Sequence, residues 1–158
     1  PKDVELIQVE SAQDMYDAVM KRSDEQDIII KTAAVSDYRP VHISPRKMKK
    51  QPGGAAIELE RTKDILLELG RNKRDQLLIG FAAETDNIEE YALDKLERKN
   101  ADMIVANNIT AEGAGFKHDT NIVTLFKRDG SKVEMPLMSK KEIAGVVLHE
   151  AVELLKKD

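Results

Sequence analysis

The sequence predicts an α/β protein with a parallel-core sheet flanked by helices, and three observations predict it. Short apolar runs suited to buried strands recur at 27–34, 76–83 and 102–107, helix-patterned segments separate them, and each run ends in small or polar residues. Parallel strands that end this way place a ligand crevice along one edge of the sheet.

Taken in order, residues 4–9 alternate apolar and polar as a strand would, and Ser11, three residues before Asp14, caps a helix expected to run to Arg22. The run at 27–34 follows, its three isoleucines fitting a strand covered on both faces, so that strand, helix and strand form a parallel pair with a right-handed crossover. A polar turn with Asp37, Tyr38 and Arg39 comes next. Then a basic loop carries Arg46, Lys47, Lys49 and Lys50, and Pro40 and Pro45 prevent one continuous helix there. Gln51-Pro-Gly-Gly reads as an open turn and 55–61 as an exposed strand, together a movable flap. Thr62 is placed to cap a short helix with Ile65, Leu66 and Leu69, ended by Gly70. Its first turn, residues 63–66, offers unpaired N–H groups to a ligand.

In the run at 76–83, Gly80 and Phe81 mark where backbone could meet a planar group. Asn87 and Glu90 have capping-box spacing for a helix to about Lys99, on which Lys95 and Lys99 share a face. After the strand at 102–107 come a glycine-containing loop (112–116) and a hairpin of 121–126 with 132–137, turning at Asp129-Gly130. Ser139 and Glu142 form a second capping box. The last helix that they open carries a core stripe of Ile143, Val146, Val147, Ala151 and Leu154, and is expected to be structural.

A length of 158 residues suits one domain. The net charge of −4 and pI near 5.5 argue against general nucleic-acid or anionic-membrane binding, so the basic loop is a local, specific anion site, most naturally for a polyphosphate. A solvated basic loop is the plain alternative; its position after a small-residue strand end favours function. The chain has no cysteine, hence no thiolate nucleophile or thiolate metal site, and its three histidines are scattered. His118-Asp119 reads as a hydrated loop. No segment resembles a signal peptide or a membrane span, which makes the cytoplasm the expected compartment. The start at Pro1 is consistent with a processed or excised piece. Neither a G-x-G-x-x-G nor a P-loop occurs.

The blocks AAVSDYRP (33–40), RKMKK (46–50), GFAAET (80–85) and ADMIVANN (101–108), in this order over nearly the whole chain, resemble phosphopantothenoylcysteine synthetase, commonly the carboxy-terminal half of a bifunctional coenzyme A biosynthesis protein. The resemblance implies a Rossmann-like fold and a CTP-dependent ligase. 4'-Phosphopantothenate is activated as an acyl-cytidylate, and the amine of cysteine then displaces CMP. Carried over by position, Thr32, Ala33 and Phe81 line the nucleotide site, Asp37 meets the nucleotide or its Mg2+, and Lys47 is the loop lysine acting on the nucleotide. Residues Lys63, Asp64, Ile65 and Leu66 match a base-recognising segment, and Lys95 and Lys99 match nucleotide-contacting lysines. Thr62-Lys63 stands where the family often has Asn-Pro. The glycine-rich segment and the asparagine of the second half-reaction have no counterpart in 1–31, so the expectation is a single nucleotide-binding ligase domain, 1–158, lacking its upstream segment. A homodimer is expected, and FMN only with a fused upstream decarboxylase. The competing readings are a CTP-binding module without turnover and an assembly surface using the 121–137 hairpin.

Overall fold

In the computed structural model, residues 2–42, 44, 46–47, 53–54, 56–108, 110 and 118–156 are described. The glycine-containing loop at 112–116 and the lysines Lys49 and Lys50 lie outside them.

Five strands form the main sheet in the order β1 (Ile28–Lys31), β4 (Leu77–Glu84), β5 (Met103–Asn108), β7 (Val123–Lys127) and β8 (Lys132–Glu134). The first three are parallel neighbours, β7 pairs antiparallel with β5, and β8 pairs antiparallel with β7. This is the expected mainly parallel α/β sheet. The hairpin expected at 121–137 therefore extends the main sheet. Two small ribbons complete the strands: β2 (Tyr38–Pro40) with β3 (Leu59–Arg61), and β6 (Thr120–Asn121) with β9 (Met138–Ser139).

Alternation along the strands divides the core in two. Leu78, Ala82, Ile104, Ala106 and Phe126 face α1 (Ala12–Met20), α2 (Ile65–Asn72) and α3 (Ile88–Arg98). Leu77, Ile79, Met103, Val105, Val123 and Leu125 face α4 (Lys140–Leu155), which contributes Ile143, Val147 and Ala151 as its periodicity requires. The capping boxes at Ser11 and Ser139 both form. The box expected at Asn87 does not: Asn87 adopts φ 43°, in the left-handed region, and its side chain makes no cap hydrogen bond.

Other expectations are also corrected. Residues 4–9 form no strand, and Val4 and Leu6 are exposed, because alternation alone supplies no neighbouring strand to hydrogen-bond with. The isoleucines of β1 are only half-buried, since β1 is the edge of the sheet, and the strand is four residues long. Asp64 caps α2 in place of Thr62, accepting from the Leu67 N–H at 3.0 Å, while the Thr62 hydroxyl donates to the Ser36 carbonyl. Gly70 lies within α2 and does not end it. Gly80 serves packing and meets no open crevice: a Cβ there would stand 2.6 Å from Leu66 Cδ2 and 3.0 Å from Ile104 Cδ1.

Asp102, just before β5, ties the sheet to the end of α2. Its carboxylate accepts the Leu78 N–H at 2.7 Å and the Lys73 ammonium at 2.6 Å. Asp102→Ala is expected to lower stability by about 2 kcal/mol, since a hydrogen bond to a charged group contributes about 1.5–3 kcal/mol. Urea unfolding checks this; an unchanged midpoint would mean that water replaces the carboxylate at no cost.

Candidate functional site

A cleft of about 970 Å³ opens where β1, β4 and β5 end. Because the three strands are parallel, their carboxyl ends meet at one edge of the sheet. Thr32, Ala33, Asp37, Lys63, Asp64, Ile65, Leu66, Phe81, Lys95 and Lys99 all line it. Lys47, the remaining candidate, is exposed and does not line the cleft.

The floor is braced by the ribbon. The Thr62 N–H donates to the Asp37 carbonyl at 3.0 Å, and Arg39 pairs with Glu60 at 2.8 Å, so the loop after β1 and the entry to α2 are held side by side. Residues 63–66 thus reach the cleft at the head of α2. The Lys63 ammonium lies 4.1 Å from the centroid of the Tyr16 ring, so its side chain is engaged by a cation–π contact and the backbone is what it presents.

On the wall carried by α1–α3, Lys31 and Lys99 act on Asp64, and Lys95 lies near Lys31. Lys99 is buried, 8% exposed, and its ammonium pairs with the Asp64 carboxylate. Burial would raise the Asp64 carboxyl, but the hydrogen bonds from Lys99 and the Leu67 N–H, with the charges of Lys99 and Lys31, outweigh it and hold the group below the usual range. Lys31 is a member of this cluster that the sequence motifs do not mark. A charged residue closing an isoleucine run at a strand end was the signal available for it. Its ammonium donates to the Ala33 carbonyl at 2.8 Å. Burial pushes Lys31 down; Asp64 and Asp37 oppose this, and Lys95 and Lys99 add to it. The lining carries more cations than carboxylates, and such an excess of positive charge binds a polyanion readily.

A lowered lysine destabilises the fold while it is charged, and that cost disappears as pH rises from its folded value to its unfolded one, near 10.4. Lys31→Met is therefore expected to raise the melting temperature at neutral pH, with the gain shrinking toward pH 10. A variant less stable than the parent at pH 7 would contradict the burial argument.

The opposite wall belongs to the α4 side. Phe81, Asn107 and Val123 come from the sheet, and Lys140, Ile143 and Ala144 from the first turns of α4. So α4, expected to be purely structural, also shapes the site. For a divalent cation, Asp37 lines the cleft with no ion pair among the described residues, whereas Asp64 is taken by Lys99. Among the described residues no group of three His, Cys, Asp or Glu could hold a metal. This donor set fits Mg2+ carried in on phosphate oxygens with one carboxylate and waters, and does not fit a protein-built cage.

Residues 1–155 match the family model described as DNA/pantothenate metabolism flavoprotein C-terminal domain. The chain is 55% identical over 152 residues to the coenzyme A biosynthesis bifunctional protein CoaBC of Bacillus subtilis, covering 96% of this chain and 37% of that protein. It is 40% identical over 158 residues to the CoaBC of Haemophilus influenzae, covering 99% of this chain and 39% of that protein. The chain thus spans about two-fifths of the length of these relatives. A crystal structure of the C-terminal domain of CoaBC superposes with a TM-score of 0.82 at 49% identity, covering all of this chain and 71% of that one. Among the described residues no helix is long and apolar enough to cross a membrane.

Proposed function

The chain belongs to the DNA/pantothenate metabolism flavoprotein C-terminal domain family, and from that premise we infer that it is the ligase domain of a coenzyme A biosynthesis protein, joining 4'-phosphopantothenate to cysteine with CTP. The observation that carries this reading is the cleft at the strand ends, where the residues of the AAVSDYRP and GFAAET blocks meet Lys95 of α3 and Lys99, which caps it.

In the proposed reaction the substrate carboxylate attacks the α-phosphorus of CTP, the bond to the β-phosphate oxygen breaks, and pyrophosphate leaves. The amine of cysteine then attacks the acyl carbon of the cytidylate; the amide bond forms, the acyl–phosphate bond breaks, and CMP departs with the electron pair while the amine loses a proton. The first step sets negative charge against negative charge, and the second releases an anion, CMP. Lys31, Lys95 and Lys99 lower that barrier by facing the triphosphate with preorganised positive charge. The N–H groups at the head of α2 address the base, and small residues at Thr32, Ala33 and Ala34 let the nucleotide lie close to backbone. Asp37 would hold Mg2+, which would supply charge neutralisation at the phosphates. Lys47 meets the nucleotide in this reading and helps to exclude water from the reactive anhydride. A homodimer, a cytoplasmic setting and a fused upstream decarboxylase that would use FMN complete the proposal.

The test is calorimetric titration with CTP, and with ATP as control, in the presence of magnesium, followed by an assay for pyrophosphate release that depends on 4'-phosphopantothenate. CTP binding in preference to ATP, with substrate-dependent release, supports the ligase. Binding without release would make the chain a nucleotide-binding module, and no CTP binding would end the proposal.

A further inference from the structure

We propose that Asn100, which lies outside the cleft, is a positioning residue for the nucleotide: it clamps the end of α3 to α2 and so sets how far the Lys99 ammonium reaches toward the cleft. This rests on the ligase reading and deepens it. The starting observation is backbone geometry. Asn100 has φ 49°, in the left-handed region, directly after Lys99 closes α3. The Asn100 N–H donates to the Glu97 carbonyl at 3.0 Å and the Ala101 N–H to the Leu96 carbonyl at 3.1 Å, the paired bonds of a Schellman helix end. Glycine is the usual residue there. Asparagine adds a side chain, and both of its polar atoms are used.

The amide nitrogen of Asn100 donates to the Gly70 carbonyl of α2 at 2.8 Å, and its Oδ1 accepts from Arg128 at 2.6 Å. A carbonyl on one side and a guanidinium on the other leave the amide a single orientation. Arg128 is fixed in turn, donating to the Ala101 carbonyl from two of its nitrogens at 3.1 and 3.2 Å. Asn100 is half-buried and does not line the cleft, so its side chain serves the protein and not the ligand.

Lys99 is thereby held to α2 at two points. Its carbonyl lies where a Cβ on Gly70 would be, and its ammonium pairs with Asp64, the cap of α2. From Asp64 to Gly70 the helix rises roughly 9 Å, at about 1.5 Å per residue. A lysine stem stretched over that length has little slack, so a displacement of the Lys99 backbone carries the ammonium with it. Such placement matters for a charge that faces a triphosphate, since a misplacement of about 1 Å can cost on the order of 100-fold in rate.

The experiment compares the parent chain with Asn100→Gly, which keeps the left-handed turn, and Asn100→Asp, which keeps the Arg128 contact and whose carboxylate cannot donate to Gly70. Two quantities are measured: the titration of the Asp64 carboxyl by NMR without nucleotide, and CTP affinity by calorimetry with magnesium, the latter also in a Lys99→Met background. In both variants the Asp64 carboxyl is expected to move up from its lowered value toward the usual carboxylate range, because Lys99 supplies part of what holds it down. CTP binding is expected to weaken about five- to tenfold in each variant, and by less than about twofold in the Lys99→Met background, where nothing is left for Asn100 to place. An unchanged Asp64 titration would overturn the clamp. A shifted Asp64 with unchanged CTP affinity would overturn its role in nucleotide binding, and so would equal losses with and without Lys99, which a general loosening of the fold produces. A parent chain that binds no CTP would overturn the ligase reading and the nucleotide role with it, while the Asp64 titration, read without nucleotide, would still decide whether Asn100 places Lys99.

Discussion

Gly70→Ala is expected to lower the melting temperature by roughly 4–10 °C, although alanine is the better helix former. Gly70 lies inside α2, where it packs against the end of α3. A Cβ at this position would stand 1.8 Å from the Lys99 carbonyl oxygen and 2.8 Å from its carbonyl carbon. Those are backbone atoms, so no side-chain rotation relieves the overlap, and α2 must move away from α3. Neighbouring bonds resist that movement: the Asn100 side-chain amide donates to the Gly70 carbonyl at 2.8 Å, and Arg128 donates to the Asn100 side chain at 2.6 Å. Overpacking of this kind costs about 1–3 kcal/mol, here toward the upper end, and the gain in helix propensity offsets only about 0.5–1 kcal/mol of it. Gly145→Ala is the matched control. It sits within α4 with nothing within 4 Å of the added Cβ, so the same substitution should stabilise by about 0.5–1 kcal/mol. Thermal melts of both variants decide the matter; a Gly70→Ala chain as stable as the parent would show that α2 shifts freely.

The second large effect is expected on function. Lys99→Met should weaken CTP binding by roughly 10- to 100-fold, because a buried, charge-assisted contact to phosphate contributes about 1.5–3 kcal/mol. Lys95→Met, on the same face of α3 but less buried, should weaken binding without altering stability. Lys99→Met should alter both, since it leaves Asp64 without its ammonium partner. The sign of the pH dependence follows from the lowered Asp64 carboxyl. Its contribution is fully present above the unfolded value near 3.9 and is lost as pH falls through the folded value. The stability gap between parent and variant should therefore be open at pH 7 and narrow on acidification below about pH 4. Urea midpoints at pH 7 and pH 3 measure it. A gap of equal size at both values would assign the loss to packing of the lysine stem and not to the ion pair.

These two sites also separate what is written locally in the chain from what is not. The strands at 77–84 and 103–108, the capping boxes at Ser11 and Ser139, the stripe of α4 and the shared face of Lys95 and Lys99 depend on spacing within one segment, and the sequence determined them. The family blocks also lead to a cleft wall that the fold assembles, with Lys47 apart from it. The tertiary structure alone decided which segments meet. Residues 4–9 alternate like a strand yet lack a ladder partner, and 121–137 extends β5 because that strand's free side was there to accept it. Gly70 and Gly80 carry no local sign of the backbone and side chains pressed against them. The burial that pushes Lys31 down, the salt bridge that fixes Asp64 and the side-chain bonds of Asn100 are set by neighbours distant in sequence, and hydrogen bonding and desolvation depend on those neighbours, not on the residue's own segment.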